Sequence, residues 1–230
     1  AKQVLLSLLA IFIGLLFLSP LYLVFLSSVK SVKDIFLNPL GFPEVIMWSN
    51  FSRLWEKIDY LRAFLNSAFF VLFGVLGLVI LCSMAAYRLI RNMTKQNRVI
   101  YLLLVSSILI PFQTVMIPLI KILSNVNLYN TRVGVLLTYY GFGIPFATFL
   151  FSGFMKSIPK EIEESAAIDG CSIFGSFLMI VFPLLRPISI TVIVLDVLWI
   201  YNDFLLPFVL ISSNSIRTLP LVMYTFFTAY

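Results

Sequence analysis

The sequence predicts an all-α, polytopic membrane helix bundle, and two observations carry that prediction. Of the 230 residues, 61% are hydrophobic and only 11% are charged, less than half the roughly 25% of ordinary soluble domains. A soluble fold of this length buries about 70–75% of its unfolded surface, too little to hide so much apolar area. In addition, four stretches without any charge, 3–29, 63–87, 99–120 and 133–155, each reach the roughly 20 apolar residues that a membrane-crossing helix needs.

The elements follow in chain order. Stretch 3–29 is the first span. The segment 46–62 then places Trp48, Phe51, Leu54, Trp55 and Ile58 at helical spacing among charges. It reads as an interfacial helix or as a docking surface for an extracellular protein. Stretches 63–87, 99–120 and 133–155 supply three further spans. A fifth, 187–211, is long enough but contains Asp196 and Asp203. No internal repeat or low-complexity linker divides the chain, so residues 1–230 read as a single membrane domain. Pro20, Pro111, Pro118, Pro145 and Pro207 fall inside these stretches; each removes a helical hydrogen bond and tends to kink its helix. Position 1 is Ala, so the start reads as missing or processed, and the first apolar run is too long for a cleaved signal.

Charge sets the orientation. The connection 88–98 holds Arg88, Arg91, Lys95 and Arg98 and no acid, whereas 124–132 holds one Arg. By the positive-inside rule 88–98 is cytoplasmic. Parity then puts the N-terminus and 156–186 inside, with 30–62 and everything after 211 outside. The net charge of +6 is scattered between apolar blocks, which suits membrane orientation and not nucleic acid. The chain has no histidine, which removes His-based metal sites and Ser-His-Asp triads. Cys82 and Cys171 fall towards the cytoplasmic side in this topology and are expected to be free thiols.

The most informative segment is 156–186, which reads KSIPKEIEESAAIDGCSIFGSFLMIVFPLLR. Pro159 suits a helix start, and Glu161, Glu163 and Glu164 follow where the helix dipole favours negative charge. Ile162, Ala166 and Ala167 lie on one face. Gly170 supplies a stop, and Ser172 can cap a second helix from Ile173 to Leu185 that is too short to cross a bilayer. The result is an acidic, small-faced helix–Gly–helix hairpin. An amphipathic connector lying on headgroups is the blander reading, but anionic lipid would repel four acids gathered within nine residues.

The spacing Glu164-Ser165-Ala166, Gly170, Ile180, Phe182-Pro183 resembles the EAA loop of bacterial ABC-importer permeases, E-A-A-x3-G-x9-I-x-L-P. It departs at Ser165 and Phe182. The run Tyr201-Asn202-Asp203-Phe204-Leu205-Leu206-Pro207, then Thr218-Leu219-Pro220-Leu221, resembles the MalG-like carbohydrate branch, which Asn66-Ser67 also suits. The resemblance implies the type I ABC-importer permease fold, with six helices and a C-terminal tail. Five spans are visible here, so the chain is expected to be C-terminally truncated.

Further expectations follow from the resemblance. The chain would be a non-catalytic permease subunit in the bacterial plasma membrane, importing a carbohydrate by alternating access. Its partners would be a second, similar permease, two cytoplasmic ATPases that bind the ATP and Mg, and an extracellular solute-binding protein. The loop would sit in an ATPase cleft, with Glu163 and Glu164 as rim contacts to basic residues. Ala166, Ala167 and Gly170 would form its close-packed centre. Ser165, Ile180 and Pro183 belong to the same pattern, and Asp169 is either a contact or a local cap.

In the fifth span Asp196, Trp199 and Asp203 lie at i, i+3 and i+7 with Asn202 beside them, a polar and aromatic stripe able to line a sugar pathway. A carboxylate in hydrocarbon must face protein or water; the stripe is otherwise structural, with Asp196 paired to a neighbouring helix. Gln113, Tyr139 and Tyr140 in the third and fourth spans are pathway candidates or interhelical ties, while Lys121 and Arg132 read as snorkelling cations. Two other classes remain. An ion-coupled secondary transporter rests on Asp196 alone, and an intramembrane enzyme lacks histidine or a paired-aspartate motif.

Overall fold

The computed structural model describes residues 2–228, all of whose regular elements are helices. They fall into two compact units, residues 1–60 and 61–230.

In the first unit α1 (Lys2–Ser28) is a 27-residue helix whose most hydropathic window has no residue buried within the protein. A helix apolar all round and uncovered by its own chain is matched to lipid. After it, α2 (Val32–Leu37) is capped by Ser31, whose side chain accepts from the Asp34 N–H. Lys30, only 2% exposed, donates through Nζ to the Asn38 carbonyl at 2.6 Å, and Asn50 donates to the Ser28 and Lys30 carbonyls. These bonds fold 30–59 back on itself. The expected interfacial helix is α3 (Ser49–Lys57), with Trp48, Phe51 and Trp55 exposed.

In the second unit α4 (Tyr60–Arg91) is 32 residues long, or about 48 Å at 1.5 Å per residue. Its buried stripe, Asn66, Phe70, Gly74, Leu78, Cys82 and Ala86, recurs every four residues, the spacing of one helix face. Gly74 lets Ile200 approach, since a Cβ there would lie 2.8 Å from the Ile200 Cδ1. Close backbone approach at small residues is how membrane helices pack without a hydrophobic drive between them. The central element is α7 (Arg132–Met155), which packs against α5 (Lys95–Ser106), α11 (Arg186–Asn202) and α12 (Leu205–Leu210).

Two of the sequence-predicted spans are not straight rods. Stretch 99–120 is broken between Lys95–Leu109 and α6 (Phe112–Asn125), which meet at 107°. Pro111 forces the preceding Ile110 out of the helical region, to ψ 110°, because its ring clashes with a helical predecessor. Gln113 therefore sits exposed in the first turn of α6, just past the break in the predicted span and not within one continuous helix. In 187–211 the helix stops at Asn202. Asp203 takes ψ 121° and its Oδ1 accepts from the N–H groups of Leu205 and Leu206 at 3.1 and 3.4 Å, so it caps α12. Aspartate offers its own backbone this alternative to a helix. The helical stripe containing Asp196 and Trp199 thus ends before Asp203.

Among the described residues three helices are long and apolar enough to span alone, or up to five segments if each bent pair counts as one. Pro20, Pro118 and Pro145 lie inside helices and Pro207 within the short α12.

Candidate functional site

Below α7 the segment Lys156–Arg186 forms the hairpin expected from sequence. First comes α8 (Glu161–Ile168), with Glu161, Glu163 and Glu164 in its first turn. Gly170 has φ +83°, a left-handed turn that glycine adopts without a Cβ penalty. No atom lies within 4 Å of where its Cβ would be, so backbone conformation and not crowding is what requires glycine. Ser172 then accepts from the Gly175 N–H at 3.1 Å and starts α9 (Ile173–Ser176). The rod continues through a π turn (Phe177–Val181) into α10 (Phe182–Leu184) and meets α11 at 73°.

Within the hairpin the candidate residues separate into two groups. Glu163 faces inward: its Oε1 accepts from Arg91 Nε at 2.6 Å, with the two side chains 14% and 12% exposed. The same guanidinium donates through Nη2 to the Ile158 carbonyl at 3.0 Å. Ala166 is buried, and its carbonyl accepts from the Cys171 N–H across the turn. Ile180 is half-buried. Glu164, Ala167, Asp169, Gly170 and Pro183 are exposed, as is Ser165, whose hydroxyl back-bonds to the Glu161 carbonyl at 2.8 Å. Ala166 and Ala167 therefore do not present one shared outward face.

Sequence reasoning missed two features. Ile168 is 87% exposed and Ile173 79% exposed at the tip, so the hairpin that carries the exposed Glu164 and Asp169 also presents apolar side chains. Arg91 read only as orientation charge, because nothing local signals a partner 72 positions away.

Between α7 and α11 lies a cavity of about 330 Å³ lined by Phe142, Gly143, Phe146, Leu195, Asp196 and Trp199. Asp196 is 4% exposed, and its Oδ2 has no hydrogen-bond partner among the described residues. Pairing of that oxygen with a neighbouring helix, the structural alternative for Asp196, is not observed. The Tyr139 ring meets Trp199 edge-to-face at 5.6 Å and 88°. Its buried hydroxyl lies near Asp203 without hydrogen-bonding geometry. Tyr140 instead donates to the Phe73 carbonyl at 2.8 Å, tying α7 to α4. Asn202 donates to Leu198 within its own helix.

At the far end of α4, Asn66 is a junction. Its Nδ2 donates to the Ser215 and Arg217 carbonyls, both at 3.0 Å, and its Oδ1 accepts from Arg132 at 2.9 Å. Ser67 accepts from the Leu219 N–H at 2.8 Å, where α13 (Leu219–Thr228) begins. Arg132 also lies 5.1 Å over the Phe69 ring, so it is tied into the bundle and does not merely snorkel.

Comparison with known proteins adds four findings. The family model described as "Binding-protein-dependent transport system inner membrane component" matches residues 79–228. The "Probable starch degradation products transport system permease protein AmyC" of Thermoanaerobacterium thermosulfurigenes is 39% identical over all of this chain and 83% of its own length. The "Melibiose/raffinose/stachyose import permease protein MelC" of Bacillus subtilis is 34% identical over 96% of this chain and 80% of its own. In fold, the chain matches a bacterial ABC transporter involved in importing the acidic polysaccharide alginate, with a TM-score of 0.78 and 23% identity over 96% of this chain and 79% of that one.

Proposed function

The chain belongs to the family of binding-protein-dependent transport system inner membrane components, the permease subunits of ABC importers, and from that premise we propose that it carries a neutral sugar or oligosaccharide through alternating access driven at its α8–α9 hairpin. It is a non-catalytic sugar-importer permease, in keeping with the AmyC and MelC relatives. Family membership speaks against the ion-coupled alternative. ATP-binding and solute-binding partners come with the family; a second permease, two ATPases holding ATP and Mg, and one external binding protein are the composition we infer. We also infer that the N-terminus and hairpin are cytoplasmic, on the positive charge of 88–98.

The observation that carries the coupling role is the division of the hairpin into an anchored face and an exposed tip. Arg91 and the Ile158 carbonyl hold the inward face to the end of α4. The tip offers Ile168 and Ile173, with Glu164 and Asp169 exposed on the same hairpin. An apolar knob with a charged rim is the kind of surface that docks into a protein cleft. Push on the tip is then delivered to α4, the longest helix of the bundle. Glu164 and Asp169 are the rim contacts in this reading, Ala167 and Gly170 lie at the contact, and Glu163, Ala166, Ile180 and Pro183 shape the hairpin. Ser165 bonds back to the Glu161 carbonyl within α8.

Purification in mild detergent tests the reading. The chain brings down an ATPase and a second permease, and the complex reconstituted with its binding protein imports labelled raffinose or maltotriose only with ATP. Transport by this chain alone under an ion gradient contradicts it.

A further inference from the structure

We propose that Asp196, Trp199, Phe142 and Phe146 form a carbohydrate subsite inside the membrane, selective for neutral over acidic sugars. The inference rests on the sugar-import reading and adds a place and a chemistry to it.

The first argument is the unpaired oxygen. Asp196 is 4% exposed and its Oδ2 has no partner among the described residues. A buried polar group left unpaired is costly, the more so when charged, and an ionisable residue kept in a span marks a candidate site for something that binds there. The second is space. The cavity beside it holds about 330 Å³, within the roughly 300–1,000 Å³ of small-molecule sites. Gly143 helps to keep that space: a Cβ there would fall 2.6 Å from the Leu78 Cδ1 and 3.2 Å from the Trp199 Cζ3. The third is the lining. Phe142, Phe146 and Trp199 line the same cavity as Asp196, and the Tyr139 ring meets the indole at 88°. Carboxylate oxygens accept hydroxyl hydrogens, and aromatic rings pack on the C–H faces of sugar rings. Among the described residues no Lys or Arg lines the cavity. A uronate would therefore meet an unscreened carboxylate with no compensating cation, and like charges in low dielectric repel strongly.

The test uses the complete importer in proteoliposomes with labelled raffinose and maltotriose. Asp196→Asn keeps size and hydrogen bonding but loses the charge; Asp196→Leu loses both. The expected result is uptake at least tenfold lower for Asp196→Leu and a several-fold rise in KM for Asp196→Asn, with assembly intact. Equal uptake by wild type and Asp196→Leu in assembled complexes overturns the subsite. If both variants fail to assemble, Phe146→Cys decides, in a chain with Cys82 and Cys171 replaced by serine. A water-soluble methanethiosulfonate reagent labels it, and turnover with raffinose slows the labelling. Absence of labelling, or labelling indifferent to sugar, overturns the proposal while raffinose import still supports the function. A wild-type complex that imports neither sugar overturns both.

Discussion

Arg91 and Glu163 meet at 2.6 Å, joining the last residue of α4 to the first turn of α8. The pair is mostly shielded from solvent, and the guanidinium is held a second time by the Ile158 carbonyl. A charge-assisted bond with shared donors is stiff as well as strong, so the hairpin is fastened to the bundle and does not hang from flexible connectors.

Removing one partner of a fully buried pair costs about 3–5 kcal/mol, and less here because part of each side chain is exposed. Arg91→Glu is expected to lower import several-fold while the complex still hydrolyses ATP. Combining it with Glu163→Arg restores a substantial part of that import. The ratio of sugar moved to ATP hydrolysed in proteoliposomes checks this, and failure of the double reversal to rescue contradicts an anchoring role.

Gly170→Val forces a β-branched residue to φ +83°, where L-residues lose about 1–2 kcal/mol. Open space around the position removes any steric cost beyond the backbone. The expected outcome is a reoriented tip, with membrane insertion and yield near normal but import uncoupled from ATP hydrolysis. Gly170→Asn, which tolerates the left-handed region, is expected to retain most of the import.

Asn66→Ala removes two donors to the 215–217 backbone and one acceptor for Arg132. Each buried group left unmade costs about 1–3 kcal/mol, so thermal unfolding in detergent shifts down by several degrees. Limited proteolysis checks the location: new cleavage is expected between residues 211 and 219, with the hairpin unaffected.

Pro111→Ala restores an N–H and releases Ile110 from the extended region. Spin labels at Val99 and Lys121 are expected to move apart as the 107° bend opens. An unchanged distance assigns the bend to packing against α7.

What the sequence disclosed and what it withheld divide along range. Glu161, Gly170 and Ser172 were legible because capping and chain reversal are written in neighbouring residues. Apolar runs marked the spans because membrane thickness sets their length. The partnership of Arg91 with Glu163, and of Asn66 with Arg132 and Ser215, depends on helices brought together from distant positions, which composition does not encode. Asp203 misled because its spacing from Asp196 fits one helix face, while its side chain prefers to cap Leu205 and Leu206. The direction of Ala166, inward, depended on how α8 is rotated by its tie to α4.

The central claim is that the exposed tip of this hairpin is held by a nucleotide-driven partner. A photo-crosslinking residue at Ile168, 87% exposed, introduced into the assembled importer in native membrane, tests it most directly. The account predicts a crosslink to the ATPase whose yield changes when ATP is bound. Crosslinking to lipid alone, with the ATPase present and unlabelled, contradicts it.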